Sequence, residues 1–232
     1  MALPQLILLP GRLNDEALWR HQIEPLSEIC RPMVADITYG RSFSELAASV
    51  LSSADDTFAL AGFSFGGIVA MEMARQAPDR LQRLALLDTT MMPDTEETLS
   101  ERRHLADMVE NSSRFHGFSD RMASAFLAPE NRDDTGLVEE IRAMTARLGA
   151  DVFVRQTRLE RPDNREALTS LGCPVTIVCG SEDALTTPES HRDMAAAIRQ
   201  AKLVMIPNAG HMTPLEQPEA VTDALRAWLT GD

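Results

Sequence analysis

The residues able to do chemistry sit at the ends of short apolar runs. Ser64 lies in Gly62-Phe63-Ser64-Phe65-Gly66-Gly67, after the run Thr57–Ala61 and before an amphipathic stretch. A G-x-S-x-G turn between strand and helix lifts a serine hydroxyl clear of a sheet, with glycines where side chains would clash. The N–H of Phe65, at the helix start, is then aimed where negative charge would develop on an attacked carbonyl. Such a serine needs a base. Of the five histidines, only His211 follows the last apolar run, in Pro207-Asn208-Ala209-Gly210-His211. Ligands gather at the carboxyl ends of strands in open α/β sheets. His21 and His191 fall in helical patterns and read as solvated or partly buried. His104 and His116 fall in a charge-rich stretch and read as surface residues.

The base in turn needs a carboxylate to fix its tautomer and stabilise the imidazolium. Asp183 follows the run Val175–Cys179 and precedes His211, which suits the chain order Ser…Asp…His. Asp88, after Leu84–Leu87, is the alternative and reads better as a turn or cap residue. A second oxyanion donor is expected from the loop after the first strand, Pro10-Gly11-Arg12-Leu13-Asn14. Gly11 lets the backbone come close. The N–H of Arg12 is the first choice and that of Leu13 the next. The Arg12 side chain would also set a cation near the mouth and favour a substrate carrying a carboxylate. Leu13, Phe63, Met91, Phe126 and Met212 are expected to line an apolar pocket, with the methionines adapting to irregular shapes.

The elements that must position these residues follow from the spacing. Leu6–Leu9, Thr57–Ala61, Leu84–Leu87, Val175–Cys179 and Lys202–Ile206 are short apolar runs ending in turn residues, and Met33–Ile37 is a weaker sixth. Runs of this kind suit strands covered on both faces. Helical patterns alternate with them: Glu16–Glu28, Ser44–Ser52 with Ser42 or Ser44 as cap, Gly67–Gln76, Pro188–Arg199 and Glu219–Leu229. The expected fold is α/β, a doubly wound, mostly parallel sheet of about six strands with helices on both faces. Residues 93–165 break the alternation and read as three or four short helices. They form an expected helical lid on a core made of residues 1–92 and 166–232.

Length and composition agree. The chain has 232 residues, 44% hydrophobic and 25% charged, and a net charge of −13. That excludes a disordered or collagen-like chain. So acidic a surface repels phosphate backbones and anionic lipid, so no nucleic-acid partner is expected. Cys30, Cys173 and Cys179 fit no metal spacing and read as reduced thiols of a cytoplasmic protein. Leu6–Leu9 is too short for a signal peptide, and no run approaches a membrane span. No G-x-G-x-x-G follows the first strand. The expected partner is a small-molecule substrate, with neither cofactor nor metal.

Taken together, Leu6–Trp19, Phe58–Gln76, Leu84–Thr89, Val175–Pro188 and Val204–Pro218 resemble the α/β-hydrolase superfamily, as a serine esterase-like member with a short helical lid. His211–Pro218 is similar to that family's histidine loop, and Ala77-Pro78-Asp79-Arg80-Leu81 to its turn after the nucleophile helix. There are two departures. Pro10 stands where the family commonly has histidine before the glycine. The family's early antiparallel hairpin is missing, which implies six strands rather than eight. The resemblance implies a carboxylic ester hydrolase working through an acyl-enzyme on a small or medium-sized, partly apolar substrate. C–C hydrolysis, lyase chemistry, cofactor-free perhydrolysis and a ligand-binding receptor are the alternatives on the same residues.

Overall fold

The computed structural model describes residues 3–112 and 115–231. Six strands form one sheet: β1 (Gln5–Leu9), β2 (Arg31–Val34), β3 (Phe58–Phe63), β4 (Leu81–Leu87), β5 (Val175–Gly180) and β6 (Lys202–Ile206). Their order is β2-β1-β3-β4-β5-β6 and every pairing is parallel. β1, β3 and β5 are buried along their whole length. Their runs are continuously apolar because both faces are covered.

The side-chain alternation of each strand divides the interior in two. Ile7, Leu9, Leu60, Leu84, Leu86 and Ile177 join the cluster under α2 (Phe43–Ser53), α3 (Phe65–Gln76) and α8 (Pro188–Ala197). Leu6, Leu8, Ala61, Leu87 and Val178 join the cluster under α1 (Arg20–Leu26) and α10 (Pro218–Thr230). Ser42 caps α2, its side chain accepting from Glu45 N–H at 3.1 Å. The second strand lies at Arg31–Val34, earlier than the run Met33–Ile37 suggests. It is an edge strand, half-covered, so its apolar signal is weak. Strand order reverses between β1 and β3, and such a switch point opens a crevice at the carboxyl ends of the strands.

Between β4 and β5 the chain leaves the sheet. It forms α4 (Glu96–Glu110), α5 (Asp120–Ser124) and α6 (Thr135–Arg158), and returns through α7 (Arg165–Thr169). Asn164 N–H donates to the Met91 carbonyl at 3.0 Å, which ties the two ends of this excursion together. The expectation of only short helices is corrected here. α4 has 15 residues and α6 has 24, bent at Gly149, whose φ of 74° is left-handed. Glycine takes that conformation without steric cost, so two helical segments meet at a kink there. Phe118, Ile141, Met144 and Phe153 bring the insertion into the same cluster as Phe63 and Leu87. Among the described residues no helix is long and apolar enough to cross a membrane.

Candidate active site

Ser64 sits between the end of β3 and the start of α3, at φ 51° and ψ −114°. A non-glycine residue held there is strained, and such strain persists only when its surroundings enforce it. Here Ser64 N–H donates to the Leu87 carbonyl at 2.9 Å, while the Ser64 carbonyl accepts from Thr89 Oγ1 at 2.7 Å. The glycines around it leave room for backbone. A Cβ on Gly62 would lie 2.5 Å from the Gly66 carbonyl oxygen, and one on Gly66 would lie 2.4 Å from that of Pro10. α3 therefore starts directly against the end of β1.

His211 reaches Ser64 from the loop after β6. Its Nε2 lies 2.9 Å from Ser64 Oγ and its Nδ1 lies 2.8 Å from Asp183 Oδ2. The ionised carboxylate accepts, so Nδ1 carries the proton and Nε2 is free to accept from the serine hydroxyl. Asp183 also accepts from Leu185 N–H at 2.8 Å, Thr186 N–H at 3.0 Å and Thr186 Oγ1 at 2.7 Å. Burial pushes the Asp183 carboxyl up, but the hydrogen bonds and charge of His211 and the two bonds from Thr186 outweigh it and hold it below its ordinary value. All three residues are brought together as the sequence predicts.

Asp88, the alternative carboxylate, is not brought to the histidine. It accepts from Gly180 N–H at 2.9 Å and from the Thr213 hydroxyl. Full burial, with the nearby Asp183 charge, pushes its carboxyl well above the usual range. Asp88, Cys179 and Asp183 place ligand-type atoms within 4.8 Å of one another. They do not suit a metal. Both carboxylates are engaged, and burial pushes the Cys179 thiol up, away from the thiolate a metal needs. His191 is fully buried, but structurally. It accepts from Thr89 N–H at 3.1 Å and donates to the Thr187 carbonyl 3.0 Å away. Burial holds it below the usual histidine range. His21, His104 and His116 are exposed.

The loop after β1 places Arg12 beside the elbow. Among the described residues the N–H groups of Arg12 and Phe65 meet no acceptor. Leu13 N–H, the second choice, already donates to Gln156 Oε1 at 2.9 Å. Leu13 is fully buried and Met91 nearly so, and neither borders the cavity, which corrects both pocket assignments. Leu13 is withdrawn by its φ of 55° and by Gln156, Met91 by packing into the α3 side of the core. Phe63, Phe126 and Met212 do border it. The cavity opens to solvent at its mouth and also meets Phe118, Ile141 and Leu185.

Two features escape the sequence. Glu216 is buried, and its Oε1 accepts from Gly210 N–H at 2.9 Å and Met212 N–H at 3.1 Å. Its Oε2 accepts from Ala128 N–H at 2.7 Å and Asn131 Nδ2 at 2.9 Å. One carboxylate thus clamps the histidine loop to the insertion, as does the bond from His211 N–H to the Phe126 carbonyl at 2.7 Å. Its place five residues after the histidine, in α9 (Thr213–Glu216), is the only signal it leaves. The second feature is a pair of arginines, Arg102 and Arg161, at the cavity wall. Both come from the insertion, and no spacing links them to the serine.

A serine hydroxyl bonded to a carboxylate-oriented imidazole, beside unengaged N–H groups, is an arrangement able to transfer an acyl group. Comparison with known proteins agrees with that fold. A model of the Alpha/beta hydrolase family matches residues 6–224. A pimeloyl-[acyl-carrier protein] methyl ester esterase of Neisseria meningitidis is 26% identical over 214 residues, covering 89% of this chain and 69% of that protein. A thermophilic esterase from Thermogutta terrifontis, solved with malate bound, superposes with a TM-score of 0.89 at 31% identity, over 99% of this chain and 90% of that one. An enol-lactonase from Burkholderia xenovorans superposes at 0.87 with 21% identity, over 99% and 92% of the two chains. With a family match spanning nearly its whole length, the chain belongs to the alpha/beta hydrolase family.

Proposed function

We propose that this protein is a carboxylic ester hydrolase with Ser64, His211 and Asp183 as its triad. The observation that carries the reading is the unbroken relay, 2.9 Å from Ser64 Oγ to His211 Nε2 and 2.8 Å from Nδ1 to Asp183. Esterase names among its relatives support the same class. Ser64 Oγ attacks the ester carbonyl and its proton passes to His211 Nε2. The carbonyl oxygen takes the negative charge and rests on the N–H groups of Phe65 and Arg12, a pair worth several kcal/mol of barrier. The carbon–oxygen bond to the alcohol breaks as His211 gives that proton to the leaving oxygen. Water then attacks the acyl-enzyme, losing its proton to His211, which returns it to Ser64 as the acid leaves.

Residues 93–165 serve in this reading as a lid on the core formed by 1–92 and 166–232, with Phe118 and Phe126 as its apolar lining. The substrate is a small or medium-sized molecule that fits the cavity beside Phe63 and Met212. The test is to mix the enzyme with p-nitrophenyl butyrate, quench early and map the peptides by mass spectrometry. A butyryl group on Ser64 and steady release of p-nitrophenol are expected. Turnover with no acyl group on Ser64 at any time would contradict the mechanism.

A further inference from the structure

The charged groups bordering the cavity are unbalanced. Among the described residues, and apart from His211, the ionisable side chains that line it are Arg12, Arg102 and Arg161, and no carboxylate does. The counter-charge is Asp94, 1% exposed and set behind the wall. It holds the Arg102 guanidinium, accepts from the Arg161 backbone N–H at 2.9 Å, and lies 3.7 Å from Arg161 Nε. Arg102 is further pinned, donating to the Thr157 and Leu159 carbonyls at 2.8 and 2.7 Å, and among the described residues its buried Nε meets no acceptor. Three cations against one anion leave a surplus of two positive charges at the cavity wall, in a chain whose net charge is −13.

Arg12 is the group left over. Its guanidinium stands 5.7 Å over the Phe153 ring, and among the described residues it reaches no carboxylate or carbonyl. A guanidinium has five N–H donors in a planar fork that matches a carboxylate. Burial, and after it the nearby Arg102 and Arg161 charges, push Arg12 down to about 10, so it remains a cation at neutral pH with no protein acceptor. Holding a partly buried cation without a partner is costly unless a ligand supplies the anion. Ser64 and these arginines border the same cavity.

We propose that Arg12 and Arg161 form an anion subsite beside Ser64, so that the substrate is an ester bearing a free carboxylate, such as the half-ester of a short dicarboxylic acid. Arg102 and Asp94 fix the subsite's wall rather than meeting the ligand directly. This rests on the ester hydrolase reading, with the attacked carbonyl near Ser64 and the carboxylate held by the fork of Arg12. The local surplus of positive charge at the cavity wall attracts the anion there, although the chain's net charge of −13 opposes its approach from a distance.

The test is binding rather than turnover. Ser64→Ala is titrated by calorimetry with monomethyl glutarate and with dimethyl glutarate. The half-ester is expected to bind at least about tenfold more tightly, as a charge-assisted contact allows. Raising sodium chloride from about 0.05 M to about 0.5 M should narrow that gap only modestly, because partly buried charge pairs are screened much less than exposed ones. Arg12→Gln and Arg161→Gln, each added to Ser64→Ala, should each cut the ratio of the two affinities by about fivefold or more. Circular dichroism confirms that the variants fold. Equal affinity for the two esters, no measurable binding of the half-ester, or a ratio that both glutamine variants leave intact overturns the subsite. Half-ester binding that follows this pattern in a protein whose Ser64 never acylates keeps the subsite and discards the hydrolase reading.

Discussion

The floor of the cavity, at the carboxyl ends of the strands, differs from its roof in how its polar groups are matched. On the floor Asp183 accepts from His211, Thr186 and Leu185, and Glu216 from four donors. Each site carboxylate is saturated, and each fixes a loop. Under the insertion, Arg102 and Arg161 share Asp94, and Arg12 has nothing within the described protein to receive its guanidinium N–H groups. Saturation makes geometry, which a proton relay needs to within a fraction of an ångström. A surplus of donors makes affinity for something not yet bound.

Four experiments probe that contrast, from the largest effect down. Ser64→Ala should lower ester turnover by about a million-fold while thermal stability stays near the parent, since the hydroxyl serves the relay and not the core. A melting temperature that falls with activity would place Ser64 in the structure instead. Asp183→Asn should cost about ten-thousand-fold in kcat, because an amide favours the wrong histidine tautomer. If Asp88 can stand in for it, the loss will be far smaller.

Glu216→Gln sharpens the comparison within the floor. An amide nitrogen would face two N–H donors, so about 2 kcal/mol of stability should be lost. The histidine loop should also loosen, with kcat down about tenfold and KM little changed. A change in KM alone would assign Glu216 to substrate binding. The fourth test is pH. Asp183 lies below its ordinary 3.8 in the folded protein, so its contribution to stability is complete above 3.8 and fades as pH drops through the lower folded value. Melting curves of the parent and of Asp183→Asn should therefore stay a constant distance apart above pH 3.8 and converge below it. Convergence already at neutral pH would mean that the carboxylate is not held by these bonds.

What the sequence revealed divides along the same line. Ser64, Asp183 and His211 each end an apolar run, and that local pattern locates them because strand ends converge in a parallel sheet. Phe65 and Arg12 follow from adjacent turns. Leu13 and Met91 were misplaced because an apolar residue beside a site reads alike whether it faces cavity or core. Leu13 turns inward through its positive φ and its bond to Gln156, 143 residues away. Arg102 lies in the charge-rich helix α4 and Arg161 in the irregular segment between α6 and α7, where an arginine usually faces water. Their convergence on Asp94 is a property of how the insertion folds back, and no period in the sequence encodes it.

The most direct measurement is labelling with a fluorophosphonate probe, with the modified peptide mapped by mass spectrometry in the parent and in His211→Ala. The account predicts one adduct, on Ser64, lost when the imidazole is removed. An adduct on another serine, or labelling of Ser64 that persists in His211→Ala, would contradict an acyl-transfer site activated by His211.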